Sequence, residues 1–330
     1  MQVVRVAVVG FGGFGRLHAR TIESLAEARL VGIIDCHPPA LDRAAAEFPA
    51  VPRFSALDQA IAQCDAEAWV VASSTASHVA VARSLLSAGR PVLLEKPLAE
   101  HLAEAESLAS LVSEDSRNLM LAHIVLFNSE FRQLCDEVRQ RGRLAYIDCV
   151  RHRPVSTLQA FPGENPLHLT MVHDLYCLLV LAGGREPLRF QAQWHRNAEG
   201  ACDLAVAQLE WPDGLMASLT ASFLTPAGMP SDGFDRMEVF GDGWAARMQP
   251  NPRPLELWDE RARWPMCLEI QARDGISSGM LAEELRSFCR IARGEQQVPL
   301  GARYADGLQV QRWLDRLEKS ALDARTGAND

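Results

Sequence analysis

Two short segments of this chain hold residues whose types and spacing suit chemistry. The first is Gly10-Phe11-Gly12-Gly13-Phe14-Gly15, a G-x-G-x-x-G pattern between an apolar β-branched run (residues 3–9) and a helix pattern from Arg16. In such a turn the first glycine permits the reversal, the second lets the backbone approach a pyrophosphate, and the third lets helix and strand pack closely. The amides at the helix start then face the phosphates, and the helix dipole adds to the attraction. Asp35 stands 20 residues after Gly15, at the end of the next strand-like run, where a carboxylate accepts hydrogen bonds from an adenosine ribose. Strand, glycine turn, helix, strand and terminal acid together point to dinucleotide binding. Cys36-His37-Pro38 follow Asp35, with no immediate arginine to receive a 2′-phosphate, so NAD is favoured over NADP.

The second segment is Leu93-Leu94-Glu95-Lys96-Pro97-Leu98. Of the 33 basic residues 31 are Arg, and only Lys96 and Lys319 are Lys. Arginine holds its proton at working pH, whereas lysine releases it when its surroundings are desolvated. A lysine kept at the end of an apolar strand in such a chain calls for a chemical explanation. Its ammonium can donate to the negative charge that develops on a reacting oxygen. Glu95 and Pro97 read as residues that position it. Lys319, in a polar helical tail, reads as a solvated surface charge.

The elements that must position these groups follow from the patterning. The 330 residues are 48% hydrophobic and 23% charged, which fits a folded soluble chain of two domains and excludes a disordered or fibrous one. Strand-like runs at 3–9, 29–35, 68–72, 92–94 and 118–122 alternate with helix-like stretches such as 17–28 and 78–88. Short, nearly all-apolar strands separated by amphipathic helices indicate a parallel sheet covered on both faces, so residues 1–122 read as a Rossmann dinucleotide-binding domain. Its strand ends then carry both the glycine turn and Lys96. Residues 123–330 read as an α+β substrate-binding and oligomerisation domain with a large, mostly antiparallel sheet. There a helix at 129–141, a strand at 144–153 and an apolar helix at 169–181 precede alternating runs between 188 and 270, with turns at Trp211-Pro212-Asp213-Gly214 and Gly241-Asp242-Gly243. A helix pair near 280–293 and 302–322 ends the pattern.

A formal charge of −9 argues against non-specific nucleic-acid binding. No apolar run reaches the length of a membrane span, and the N-terminus opens on a strand pattern where a secretion signal would be greasy. The eight cysteines are scattered without a C-x-x-C pair, as in a reduced cytoplasmic protein. The histidines lack metal-ligand spacing, and no acyl-transfer nucleophile has a matching base.

The chain resembles the Gfo/Idh/MocA oxidoreductases, the family of glucose-fructose oxidoreductase and inositol dehydrogenase, over nearly its whole length. The resemblance rests on the turn from Gly10 to His18, on Ala72-Ser73-Ser74-Thr75-Ala76-Ser77-His78 and on Glu95-Lys96-Pro97. Phe127-Asn128, His173-Asp174, the turn from Phe240 to Gly243 and Glu283-Glu284-Leu285 add to it. It implies hydride transfer between a nicotinamide and a sugar, polyol or related hydroxyl or carbonyl compound. Lys96 then contacts the reacting oxygen and the nicotinamide ribose, and Ser73, Ser74 and His78 belong to the loop passing the nicotinamide end. The acid/base residue is His173, whose imidazole has both protonation states available near neutrality. The family pattern D-x-x-x-H puts an acid four residues earlier, and here that residue is Leu169. Leucine cannot orient an imidazole or move a proton. Thr170 could offer a weak hydrogen bond to His173, and His168 an alternative ionisable group. Leu126 replaces an arginine common before Phe-Asn, so the substrate pocket should differ there. His123 at the domain junction and Arg151 in Arg151-His152-Arg153 are further substrate-site candidates. The resemblance also implies a homodimer or homotetramer paired through the second domain's sheet. Leu169 keeps open a non-catalytic NAD-binding sensor, and an NAD-dependent redox glycosidase is a second enzymatic alternative.

Overall fold

The computed structural model describes residues 3–226, 234–249, 257–258, 262–263 and 279–326. The chain divides into two compact units, Met1–Phe127 with Cys267–Leu308, and Asn128–Met266 with Gln309–Asp330.

In the first unit, β1 (Val4–Val9), β2 (Ala28–Ile34), β3 (Arg53–Phe54), β4 (Ala68–Val71), β5 (Val92–Glu95) and β6 (Leu119–Ala122) alternate with helices. These are α1 (Gly13–Ser24), α2 (Pro38–Glu47), α3 (Leu57–Gln63), α4 (Thr75–Ser87) and α5 (Leu102–Glu106). The strand order is β3-β2-β1-β4-β5-β6, and every pairing is parallel. All four residues of β4, of β5 and of β6 are buried, as helices on both faces of a parallel sheet require. The order reverses between β1 and β4, so a crevice opens at their carboxyl ends, where ligands of such sheets bind. The sequence reading of this domain placed β1, β2, β4, β5 and β6 to within a few residues and did not include the short edge strand β3.

One helix lies elsewhere than expected. Residues 123–330 read as one domain, yet α9 (Met280–Ala292) packs on α1 and on the 3-10 turn Ile124–Phe127 of the first unit. Its apolar stripe of Leu281, Leu285 and Phe288 is almost completely buried there, and Arg286 reaches Glu27 at 3.4 Å. Tyr304, which opens α10 (Tyr304–Thr326), donates its hydroxyl to the Ala105 carbonyl at 2.6 Å. Amphipathicity showed that α9 needed a partner surface and could not say which.

The second unit contains α6 (Ser129–Arg141), β7 (Leu144–Pro154), α7 (Thr157–Ala160), a π-helical turn (Leu167–Met171) and α8 (Val172–Leu181). Strands β8 (Arg189–Arg196), β9 (Cys202–Glu210), β10 (Met216–Thr225), β11 (Phe234–Gly241) and β12 (Trp244–Met248) follow, then the short pair β13 (Leu257–Trp258) and β14 (Ala262–Arg263). The six-stranded sheet runs β12-β11-β7-β10-β9-β8. Only β7 with β10 is parallel. Both expected hairpin turns are present, between β9 and β10 and between β11 and β12. Alternate residues of β10 (Ala217, Leu219, Ala221, Phe223) are buried, and α8 buries Leu175 to Leu179 in full. Trp211 and Trp313 of α10 meet edge to face at 6.1 Å, and the Trp313 indole donates to Glu186. The last expected run, up to residue 270, extends past the described residues.

Candidate active site

The glycine turn closes the carboxyl end of β1. Gly10 has φ +90°, and a Cβ there would lie 2.6 Å from the Ser73 backbone. A Cβ on Gly15 would lie 1.7 Å from the Gly10 carbonyl oxygen. Those two glycines are fixed by the protein's own packing. Gly12 and Gly13 are different, because a Cβ on either meets nothing within 4 Å. Gly12 lines a cavity of about 500 Å³ together with Gly10, Asp35, Ser73, Ser74 and Ser77. The Asp35 carboxylate accepts from the Phe11 N–H at 2.7 Å and the His37 N–H at 2.9 Å, which holds it beside the turn. The residues therefore fit NAD, with bare backbone where a pyrophosphate approaches and a fixed carboxylate at the ribose position.

This division of labour predicts two outcomes. Gly12→Ala should leave the melting temperature within about 2 °C of the parent and weaken NADH binding about tenfold or more, because its methyl enters ligand space. Gly15→Ala should instead lower the melting temperature, since its methyl collides with backbone. Melting curves and calorimetric NADH titration of both variants measure this. A Gly12→Ala protein that binds NADH like the parent would remove Gly12 from the cradle.

The other cofactor candidates fall around this cavity in different roles. The Phe11 side chain is fully buried against Phe48, so it contributes its N–H and not its ring. Phe14 is exposed and its ring lies 6.3 Å from that of His18. His78 is buried, with its two ring nitrogens 2.8 Å from the Pro97 carbonyl and 3.1 Å from the Ser73 carbonyl. Burial pushes it below the ordinary histidine range, and the two carbonyls only partly oppose this. A neutral ring has one N–H and donates to only one of these two carbonyls at a time.

Lys96 is half-buried just past the end of β5, and its N–H donates to the Glu95 carboxylate at 3.2 Å. The other Glu95 oxygen accepts from His18 Nε2 at 2.8 Å. Glu284 of α9 completes a buried group with them. The residue-by-residue reading did not bring these three together. A signal was present, since Glu284 interrupts the apolar stripe of Leu281, Leu285 and Phe288. His123 is fully buried just past the end of β6, so it offers no surface to a substrate, contrary to its reading as a substrate-site residue.

In the second unit, Leu169 and His173 keep partial exposure while Thr170, Met171, Val172 and Asp174 are buried. Leucine and histidine thus share the open side of this helical segment, with leucine in the π-helical turn. Three substrate candidates are engaged otherwise. The Thr170 hydroxyl donates to the Pro166 carbonyl at 2.8 Å, so it does not donate to His173. His168 Nε2 faces Glu318 at 3.6 Å. Arg151 is 2% exposed, with Nε on Asp174 at 2.8 Å and Nη1 on Asp235 at 2.9 Å. It braces β7 against α8 and β11 and is not offered to an anion. Asp174 is its buried ion partner.

Comparison with known proteins agrees with this arrangement. Residues 4–123 match the NAD-binding Rossmann fold of the GFO/IDH/MocA oxidoreductase family, and residues 139–246 match the C-terminal domain of that family. The chain is 31% identical to the inositol 2-dehydrogenase of Leifsonia xyli over 99% of its own length and 88% of that protein's. It is 30% identical to the UDP-N-acetylglucosamine 3-dehydrogenase of Acidithiobacillus ferrooxidans over 66% of this chain and 67% of that one. The fold superposes on a scyllo-inositol dehydrogenase from Lactobacillus casei, solved with bound NAD(H) and scyllo-inositol, with a TM-score of 0.79 at 19% identity over 98% of each chain. With a glycine cradle, a ribose-side aspartate and a strand-end Glu-Lys-Pro on one parallel sheet, and family matches in both halves, the chain belongs to the Gfo/Idh/MocA family of NAD-binding oxidoreductases.

Proposed function

We propose that the protein oxidises a CH–OH group of a sugar or polyol, or reduces the matching carbonyl, with Lys96 and His173 as its reacting side chains. One observation carries this reading. A half-buried lysine, one of only two in the chain, ends β5 on the same sheet edge as the glycine turn and Asp35. NAD, when bound, supplies the hydride acceptor. The turn from Gly10 to Gly15 and Asp35 would hold it, with Ser73 and Ser74 on the cavity wall. Lys96 donates to the reacting oxygen as negative charge develops there, and His173 takes or returns that oxygen's proton. Inositols and UDP-N-acetylglucosamine, the substrates named for two relatives, present the vicinal hydroxyls that such a pair would act on.

Leu169 is the observation that favours a second reading, a protein that binds NAD without turnover. A panel of inositols, UDP-sugars, free sugars and hydroxy acids, scored by NADH formation, separates the two. At least one compound should be turned over, and Leu169→Asp should raise that rate by restoring a polar partner for His173. Protein that binds NADH, turns over nothing in the panel and gains nothing from Leu169→Asp is a sensor.

The small-molecule substrate is accompanied by a self-association. Phe240, Tyr146 and Met216 lie side by side across β11, β7 and β10, with Phe240 39% and Met216 50% exposed. Phe234 stacks on His152 three rows further along the same face. An apolar row of this kind on an open sheet is an interface in waiting, and the protein should sediment as a dimer or tetramer. A monomer at micromolar concentration in sedimentation velocity overturns this. A cytoplasmic setting fits the cysteines, since all seven among the described residues are free. No described helix is long and apolar enough to cross a membrane.

A further inference from the structure

Two carbonyls compete for one buried imidazole beside the reacting lysine. His78 lies in the first turn of α4 and is 1% exposed. Its Nδ1 is 2.8 Å from the Pro97 carbonyl oxygen, and its Nε2 is 3.1 Å from the Ser73 carbonyl oxygen. Both oxygens only accept, and a neutral imidazole has a single N–H. The carbonyl that is not served faces a ring lone pair.

A charged ring would serve both, but its place argues against the charge. The positive end of a helix disfavours a cation in the first turn. Burial, which outweighs the two carbonyls and the Glu95 charge, holds His78 below the ordinary histidine range. The titratable groups around it are Glu95 and Lys96 at the end of β5 and, behind Glu95, His18 of α1. β4 and the rest of β5, on which α4 packs, add no titratable group.

Two features decide where the N–H goes. The Pro97 carbonyl is the nearer acceptor. Ser73 lines the cofactor cavity, where its carbonyl can take a donor from water or ligand. We propose that His78 is a positioning residue for Lys96, giving its N–H from Nδ1 to the Pro97 carbonyl and so pinning the backbone just after the lysine. Glu95 accepts the Lys96 N–H at 3.2 Å, so the lysine is held from both sides. A reacting group misplaced by about 1 Å loses on the order of 100-fold in rate, which is what such bracing prevents. His78 acts on the reaction only through Pro97.

The proposal rests on Lys96 as the reacting lysine, and its first test needs neither substrate nor cofactor. NMR of protein carrying nitrogen-labelled histidine, with the His78 signals identified by their loss in His78→Asn, should show the ring proton on Nδ1 at neutral pH. A proton on Nε2, or one on each nitrogen, overturns the proposal, because the ring then serves the Ser73 loop.

Two amide substitutions separate positioning from packing. The asparagine side-chain nitrogen can take the place of Nδ1, and that of glutamine the place of Nε2. With two lysines in the chain, labelled lysine gives two backbone amide signals, and Lys319→Arg assigns them. The Lys96 amide should stay near its parent position in His78→Asn and move in His78→Gln and His78→Leu. On a substrate from the panel, kcat should fall about 100-fold in His78→Gln and His78→Leu, and His78→Asn should recover about tenfold of that. NADH affinity should stay within about threefold in all three. Glutamine fills more of the histidine's volume than asparagine, so a role in packing alone gives the reverse order, and that order overturns the proposal. An unmoved Lys96 amide in His78→Leu overturns it as well. Should Lys96→Ala keep its turnover, the reading of Lys96 fails by itself, while the His78 proton and the Lys96 amide still decide what His78 holds.

Discussion

Lys96→Ala is expected to lower turnover roughly 300-fold or more while NADH affinity stays within about threefold, a split that marks a group acting mainly in the transition state. The reason lies in where binding and chemistry are placed. The cradle is built from Gly10, Gly12, Asp35 and the Ser73 loop, none of which needs the Lys96 side chain. Lys96 sits past the end of β5, held through its own N–H by Glu95. Its ammonium is a compact donor that can follow an oxygen as charge grows on it. Lys96→Arg should rescue little, because the guanidinium stays protonated and its planar head occupies a different space. His173→Ala should cost less, on the order of 100-fold, the usual range for one positioned acid/base group. Steady-state rates on a substrate found in the panel, with NADH affinity by fluorescence, decide the matter. A parallel fall in affinity and turnover for Lys96→Ala would place the lysine in cofactor binding and not in chemistry.

The legible part of this molecule was the part governed by local rules. The run from Val4 to Val9 and the fully buried residues of β4 and β5 announce themselves, because a strand covered on both faces has no polar residue to spare. The glycine turn was equally plain, and the structure separates its glycines into two that packing demands and two that face open space. The π-helical turn at Leu167–Met171 was not legible, since no glycine or proline within it marks the change of pitch. Helix α9 could be drawn from its stripe, but its home in the first unit depends on a surface built from residues far earlier in the chain. Arg151 shows the same limit at a single residue. Alternation along β7 puts it on the buried side with Ile147 and Cys149, although the sequence reading offered it to a substrate. Nothing local marks its partners, 23 and 84 residues away.

Those partners make Arg151→Met the stability variant with the largest expected loss, about 3–5 kcal/mol, the cost of breaking a buried ion pair by deleting one side. Arg151 and Asp174 each have side chains only 3% exposed, and Asp235 is 0% exposed. After the substitution Asp235 keeps Arg153, which holds it at 2.5 and 3.0 Å. Asp174 loses the guanidinium that faces it. Burial already pushes the Asp174 carboxyl above its ordinary range, with Arg151 pulling the other way, so removing Arg151 raises it further. A carboxyl raised in the folded state gives stability that is complete below its unfolded value, near pH 3.8, and lost as pH rises through the folded one. The deficit of Arg151→Met against the parent should therefore be larger at pH 7.5 than at about pH 5. Adding Asp174→Leu to Arg151→Met should recover a large share of the loss, because two apolar side chains leave no buried charge without a partner. Urea melts of the parent, both single variants and the double variant at the two pH values complete the cycle. Losses that simply add, and do not change with pH, would show that the cost comes from lost packing and not from the charge left on Asp174.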